Sequence, residues 1–158
     1  MVRLVFLMLV LFSISAEASC KAHFSNAAEK YGIPQGILQT VSHIESLKHP
    51  WTVNVKGKGY YFRTKEHAIE YVKNLIEKGV TNIDIGCMQI NYKYHKSAFK
   101  DVNDMFNPQN NIEYAAKFIR TNYGVYQNWR KAVAVFHSKN VEHSAKYIYK
   151  FSKNFHTF

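Results

Sequence analysis

Acidic residues are scarce in this sequence: 11 Asp and Glu stand against 21 Lys and Arg, a formal charge of +10 over 158 residues. Such a balance favours polyanionic or acidic partners. Nucleic acid is one, but no recognition helix or stacking sheet is evident. Metal-ligand spacing is missing too. The eight histidines are scattered singly and none forms a helical HxxxH pair, and the two cysteines have no metal-type spacing. Repeats, low-complexity stretches and linkers are absent, so the chain reads as one domain with a single core. A hydrophobic share of 47% and an aromatic share of 15% argue against disorder.

A membrane-spanning run of about 20 apolar residues is also lacking. What the N-terminus has is shorter. Arg3 supplies a basic start, Leu4 to Ile14 is apolar apart from Ser13, and Ala16-Glu17-Ala18 offers small residues at a cleavage box. This pattern predicts a secretory signal over residues 1–18 and a mature domain over 19–158, exported to the periplasm or cell wall. An uncleaved anchor is the alternative, and a lipid-modified Cys20 a further one, though Glu17 suits that box poorly. Export removes one charge of each sign, Arg3 and Glu17, and so leaves the balance unchanged. An exported chain with an even pair of cysteines invites a Cys20–Cys87 disulfide; two buried or free thiols are the other possibility.

The pattern predicts mostly helix. Cys20 to Tyr31 reads as a helix closed by Gly32. Pro34 is placed to open the next, on which Ile37, Leu38, Val41 and Ile44 form an apolar stripe. Thr52 to Phe62 reads as a hairpin around a Lys-Gly-Lys-Gly loop. Thr64 caps a helix with Ala68, Ile69, Val72, Leu75 and Ile76 on its buried face, and Gly79 stops it. Val80 to Ile85 is extended, and Gly86 to Tyr92 a short apolar helix or turn. Asn107-Pro108 opens a helix that runs to Gly124. Trp129 to His137 and Asn140 to Phe151 supply the last two. The fold class expected is mainly α, several helices about one core with one small β-hairpin.

Glu45 is the first candidate for chemistry. It stands at i+7 from Leu38 and i+4 from Val41, so its carboxylate continues the apolar stripe. Partial desolvation favours the protonated form that a general acid needs. The competing reading is a helix-end Glu that points into water.

Ile44-Glu45-Ser46 is followed by Asp84-Ile85-Gly86-Cys87-Met88-Gln89-Ile90-Asn91, then Asn107-Pro108 with Asn111-Ile112 and Ala115-Ala116, and finally Ala132-Val133-Ala134-Val135-Phe136-His137. In this order, over nearly all of the mature chain, the sequence resembles the lysozyme-like soluble lytic transglycosylases. Their pattern is Glu-Ser at a helix end, Gly-Leu-Met-Gln-Ile, Asn/Asp-Pro-x-x-Asn-Ile and Ala-x-Ala-x-Tyr-Asn. The resemblance implies a lysozyme-like domain with the hairpin beside its cleft, no cofactor, and peptidoglycan glycan strands as partner. Glu45 would be the single catalytic carboxylate, protonating the bond between N-acetylmuramic acid and N-acetylglucosamine and then deprotonating the muramyl 6-hydroxyl to leave a 1,6-anhydro end. Ser46 would fix the helix end. Met88, Gln89 and Asn91 would meet the sugar, as would Phe136 and His137 from the last block. By analogy alone, a small exported enzyme of this kind serves a secretion or conjugation machine in the envelope.

Three departures carry weight. Cys87 replaces the family Leu. Phe136 stands where the family Tyr contacts the catalytic Glu, and losing that hydrogen bond costs roughly 1–3 kcal/mol; His137 or Tyr92 are candidate substitutes. Pro50 to Lys78 is longer than the family's usual segment, and Trp51, Tyr60, Tyr61 and Phe62 there suit either sugar stacking or packing. Asp84 is the obvious second carboxylate. It reads either as a cap for the Gly86 turn or, if it faces the cleft, as the partner that a hydrolytic muramidase requires. A catalytically weak wall-binding subunit is the remaining alternative.

Overall fold

The computed structural model describes residues 19–155. The signal-peptide expectation therefore lies outside the described residues. Among these, no helix is long and apolar enough to cross a membrane.

The chain enters through a 3-10 turn at Cys20–His23 and α1 (Phe24–Tyr31). Gly32 closes α1 at φ 58°, the left-handed geometry that glycine adopts without a Cβ penalty. Helix α2 (Ile37–Ser46) begins later than the proline suggests. Gly36 is its N-cap at φ 86°, so the backbone is not helical until Ile37 and Pro34 sits in the preceding turn. The far end of α2 is unusual. Leu47 and Lys48 follow Ser46 at φ 55° and 62°, two successive non-glycine residues in the left-handed region. Each such residue carries a conformational cost of order 1–3 kcal/mol that its surroundings must offset.

The hairpin forms as expected: β1 (Thr52–Val55) pairs antiparallel with β2 (Lys58–Tyr61). Lys56 and Gly57 both take positive φ, the type I′ turn whose twist matches the strands. The sheet is larger than one hairpin, however. After α3 (Lys65–Glu77), capped by the Thr64 hydroxyl, come β3 (Ile83–Ile85) and β4 (Ile90–Asn91), giving the order β2-β1-β3-β4. Its register sorts the faces. Val53, Ile85 and Ile90 pair across and lie in the core, whereas Asn54, Asp84 and Asn91 pair across on the other face.

Short helices α4 (Tyr92–His95) and α5 (Val102–Met105) lead to α6 (Pro108–Tyr126). Asn107 caps α6 through its side chain and Pro108 opens it. Ile112, Ala115, Ala116 and Ile119 are fully buried, and α6 packs against α1, α5 and α7 (Trp129–His137). It runs past Gly124. The left-handed residue that ends it is Gln127, whose side chain also bonds the Gly124 carbonyl at 2.9 Å. Helix α8 (Val141–Asn154) closes the domain against α2 and α7.

Candidate active site

Three attachments converge on the turn between β3 and β4. Cys87 is joined to Cys20 by a disulfide, which ties the turn to the chain's entry. From α2, the Ser42 and Ser46 hydroxyls both donate to the Cys87 carbonyl, each at 2.8 Å. From α6, the buried Asn111 amide accepts from the Met88 N–H at 2.8 Å and donates to the Ile85 and Met105 carbonyls, both at 2.9 Å. Gly86 makes room for it: a Cβ there would sit 2.7 Å from Asn111 Nδ2. Its φ of 82° requires glycine as well.

These attachments fix Glu45, one residue before Ser46, beside the segment that follows Cys87. A groove of about 250 Å³ opens between them. Glu45, Asp84, Gln89, Asn91, Phe136 and His137 line it, joined by Ile90, Tyr94, His95 and Phe118. Of the residues singled out from sequence, Ser46 and Met88 are displaced from this surface. Both are fully buried, Ser46 as a bracket between α2 and the turn and Met88 as core, so neither reaches a substrate. Trp51, Tyr60, Tyr61 and Phe62 also lie outside the groove lining. Tyr60 and Phe62 pack on Tyr71, each at a centroid distance of 5.2 Å, and Tyr61 meets His49 edge-on.

The Glu45 side chain is 16% exposed, enough to meet a ligand but mostly out of water. His137 Nδ1 lies 3.6 Å from Glu45 Oε1. The imidazole stacks face to face on Tyr147, with centroids 4.2 Å apart and planes 10° from parallel. Tyr147 is buried, and its hydroxyl has no partner in good hydrogen-bond geometry. Burial raises this phenol well above its ordinary value, and the Glu45 charge and a weak hydrogen-bonding pull toward the same carboxylate add to the effect. Tyr147 therefore keeps its proton and is a donor held ready beside Glu45. It is a hydroxyl near Glu45 on a different helix from Phe136. Phe136 itself packs edge-on against Phe118 at 5.8 Å, and Phe118 meets His95 at 5.5 Å, so an aromatic wall runs across α7, α6 and α4. Tyr92, the other candidate for that hydroxyl, is not among the lining residues.

Asp84 faces the groove and not the Gly86 turn. Its carboxylate accepts from Asn91 Nδ2 at 2.7 Å. Burial pushes its pKa above the usual carboxylate range; the Asn91 hydrogen bond opposes this, the Glu45 charge adds to it, and His137 opposes it. Gln89 sits at φ 49° and its amide donates to the Thr52 and Gly86 carbonyls at 3.2 and 3.0 Å. The hydrogen-bonding capacity left to Gln89 is its acceptor oxygen. Asn91 Oδ1 is buried without a partner.

Two carboxylates in one groove, an aromatic wall and a mainly α frame with a small sheet define a lysozyme-like glycan-cleaving domain. The transglycosylase SLT domain family matches residues 22–156, and the chain belongs to that family. Its general activity is accordingly that of a peptidoglycan lytic transglycosylase. No curated protein and no solved structure matches the chain significantly.

Tyr147, Phe118, Tyr94 and His95 are the site residues that sequence reasoning missed. Tyr147 carried a faint signal: together with Phe151, at i+4, it forms the buried stripe of α8, and a phenol on such a stripe needs a polar neighbour.

Proposed function

We propose that Glu45 is the catalytic acid and base of a lytic transglycosylase that cleaves the β-1,4 bond from N-acetylmuramic acid to N-acetylglucosamine. Glu45 gives its proton to the glycosidic oxygen as the bond breaks. The resulting carboxylate then takes the proton of the muramyl 6-hydroxyl, whose oxygen closes on the anomeric carbon. The product is a 1,6-anhydromuramyl end, and the acid is regenerated without water. The observation that carries this reading is a largely desolvated Glu45 at the groove, with His137 at 3.6 Å and the Tyr147 hydroxyl buried beside it. A site dry enough to strengthen these contacts suits general acid catalysis. Gln89 offers its acceptor oxygen to sugar groups, Asn91 holds Asp84 in place beside it, and the His95–Phe118–Phe136 wall offers apolar faces to the rings.

Mass spectrometry of digested peptidoglycan tests the reading. The wild type should yield 1,6-anhydro termini and the Glu45→Gln variant none.

The position of Asp84 favours a second reading, a muramidase in which water replaces the 6-hydroxyl and Asp84 assists it. The same spectra separate the two, because hydrolysis leaves reducing ends. Against this reading stands the position of Asp84: its carboxylate is engaged within the sheet by Asn91 at 2.7 Å, which suits holding shape better than activating water. The enzyme would work in the periplasm or cell wall after export directed by residues 1–18, where the +10 balance suits a wall rich in peptide carboxylates. A secretion or conjugation apparatus is the setting proposed for it.

A further inference from the structure

The charge of this protein is unevenly spread. From Tyr114 to Phe155 the chain carries eight Lys and Arg and a single acid, Glu142. That acid is already paired, 2.6 Å from Lys146. Within this region a second groove, of about 750 Å³, runs between α7 and α8. Aliphatic side chains, Ala134, Val135, Val141, Ala145 and Ile148, make up much of its lining, beside Tyr126, Asn128 and two serines. Its rim carries Arg130, Lys131 and Lys139, and no acid lines it. All three cations are exposed, and none is ion-paired among the described residues. Lys131 leans over the Tyr126 ring at 5.2 Å. Val141 is 82% exposed and Val125, next to Tyr126, 71%, so apolar surface continues past the rim. Exposed apolar area flanked by charge of one sign marks an interaction surface more often than a solvated face.

The chemistry of the lining selects the occupant. Sugars and bases are met by open aromatic faces, as in the catalytic groove; the one aromatic in this lining, Tyr126, has the Lys131 ammonium over its ring. A bare polyanion would gain nothing from five aliphatic side chains. Both halves of the lining are used by a segment with aliphatic side chains along one face and carboxylates beside them. A trough between two packed helices suits a third helix laid into it. We propose that the α7–α8 groove is a docking site for an acidic amphipathic helix of a partner protein. This inference does not depend on the chemistry assigned to Glu45. It bears on the catalytic groove nonetheless, because α7 and α8 also carry His137 and Tyr147.

The test uses the full chain and a fluorescein-labelled 16-residue helical peptide with Leu along one face and Glu flanking it. Fluorescence anisotropy should show saturable binding that weakens with salt. Binding should fall at least about tenfold when the peptide's Glu residues become Gln, and again in the protein variant Arg130→Glu, Lys131→Glu, Lys139→Glu. Ala145→Trp, which fills the trough at an exposed position, should do the same with an unchanged thermal midpoint; it serves as the second variant should the triple reversal fail to fold. The proposal is overturned if poly-glutamate or short duplex DNA binds as tightly as the peptide. It is equally overturned if muropeptides compete for the groove, or if Ala145→Trp leaves binding intact.

Discussion

The groove has two walls, and they hold their carboxylates differently. On the sheet wall Asp84 is committed: Asn91 donates to it at 2.7 Å and the strand register fixes it between Asn54 and Asn91. On the helical wall Glu45 is surrounded but uncommitted. His137 stands at 3.6 Å, beyond hydrogen-bonding range, and the buried Tyr147 hydroxyl has no formed bond. A group that must give up a proton and take it back is served by neighbours that can tighten at either stage. A carboxylate pinned by a hydrogen bond within the sheet is better suited to holding shape and charge. The difference supports the proton transfer proposed for Glu45, and variants on each wall can break or sharpen that reading.

The largest effect is expected at Glu45. Glu45→Gln should lower peptidoglycan cleavage by about 10²–10⁴-fold, the range of a lost general acid, with the fold intact by circular dichroism. Lysis that persists would move the chemistry to the other wall. Next comes the tether of the sheet wall. Replacing Cys20 and Cys87 together by Ala should cost about 2–5 kcal/mol in denaturant unfolding, and reductant should have the same effect on the wild type. Tyr147→Phe should split activity from stability. The rate should drop by the equivalent of about 1–3 kcal/mol, whereas the unfolding midpoint should hold or rise, because a buried hydroxyl without a partner is removed. A parallel loss of both would make Tyr147 a packing residue only.

Asp84→Asn should change cleavage by less than about tenfold, against the 10²–10⁴ range of an acid/base group, and leave the product ends as they were. It also carries a pH signature. Burial raises the Asp84 carboxyl in the folded state, so its contribution to stability is fully present below the ordinary Asp value and lost as pH rises through the elevated one. The Asn variant should therefore gain stability relative to wild type at neutral pH, a gain that vanishes on acidification; melting curves across that range check it. Smallest of all, Phe136→Tyr should alter the rate by no more than about the threefold equivalent of a weak hydrogen bond, since Tyr147 already occupies the place beside Glu45.

The helical wall was far easier to read in the sequence than the sheet wall. Thr64 and Asn107-Pro108 announce their helices through capping chemistry that is local to a few residues. The stripe Leu38, Val41, Glu45 placed the acid at a buried helix edge without knowledge of what faces it. By contrast β3 and β4 have three and two residues: β3 falls within the extended Val80 to Ile85, but β4 falls in a stretch that reads as a short helix or turn, and the pairing of both strands into a sheet with β1 is not written in local pattern. Asp84 consequently stayed open between a turn cap and a cleft-facing carboxylate; it is a paired strand residue that lines the groove. Tyr147 reaches Glu45 only because α8 folds back on α2, a long-range contact that local pattern does not encode. Phe136 posed the question of a missing hydroxyl, and the phenol nearest in character lies eleven positions further on, on another helix.

Asn111 gives this site a mechanical unity that its linear signatures hide. The Gly86–Ile90 block and the Asn107–Ile112 block look like independent landmarks, yet one amide from the second threads the bend of the first where only a glycine leaves space. Neither block can be transplanted to another scaffold without its counterpart. A drift of α6 by a single residue along its axis would break the Asn111 bonds to Ile85 and Met88, which bracket the bend lying between Asp84 and Gln89.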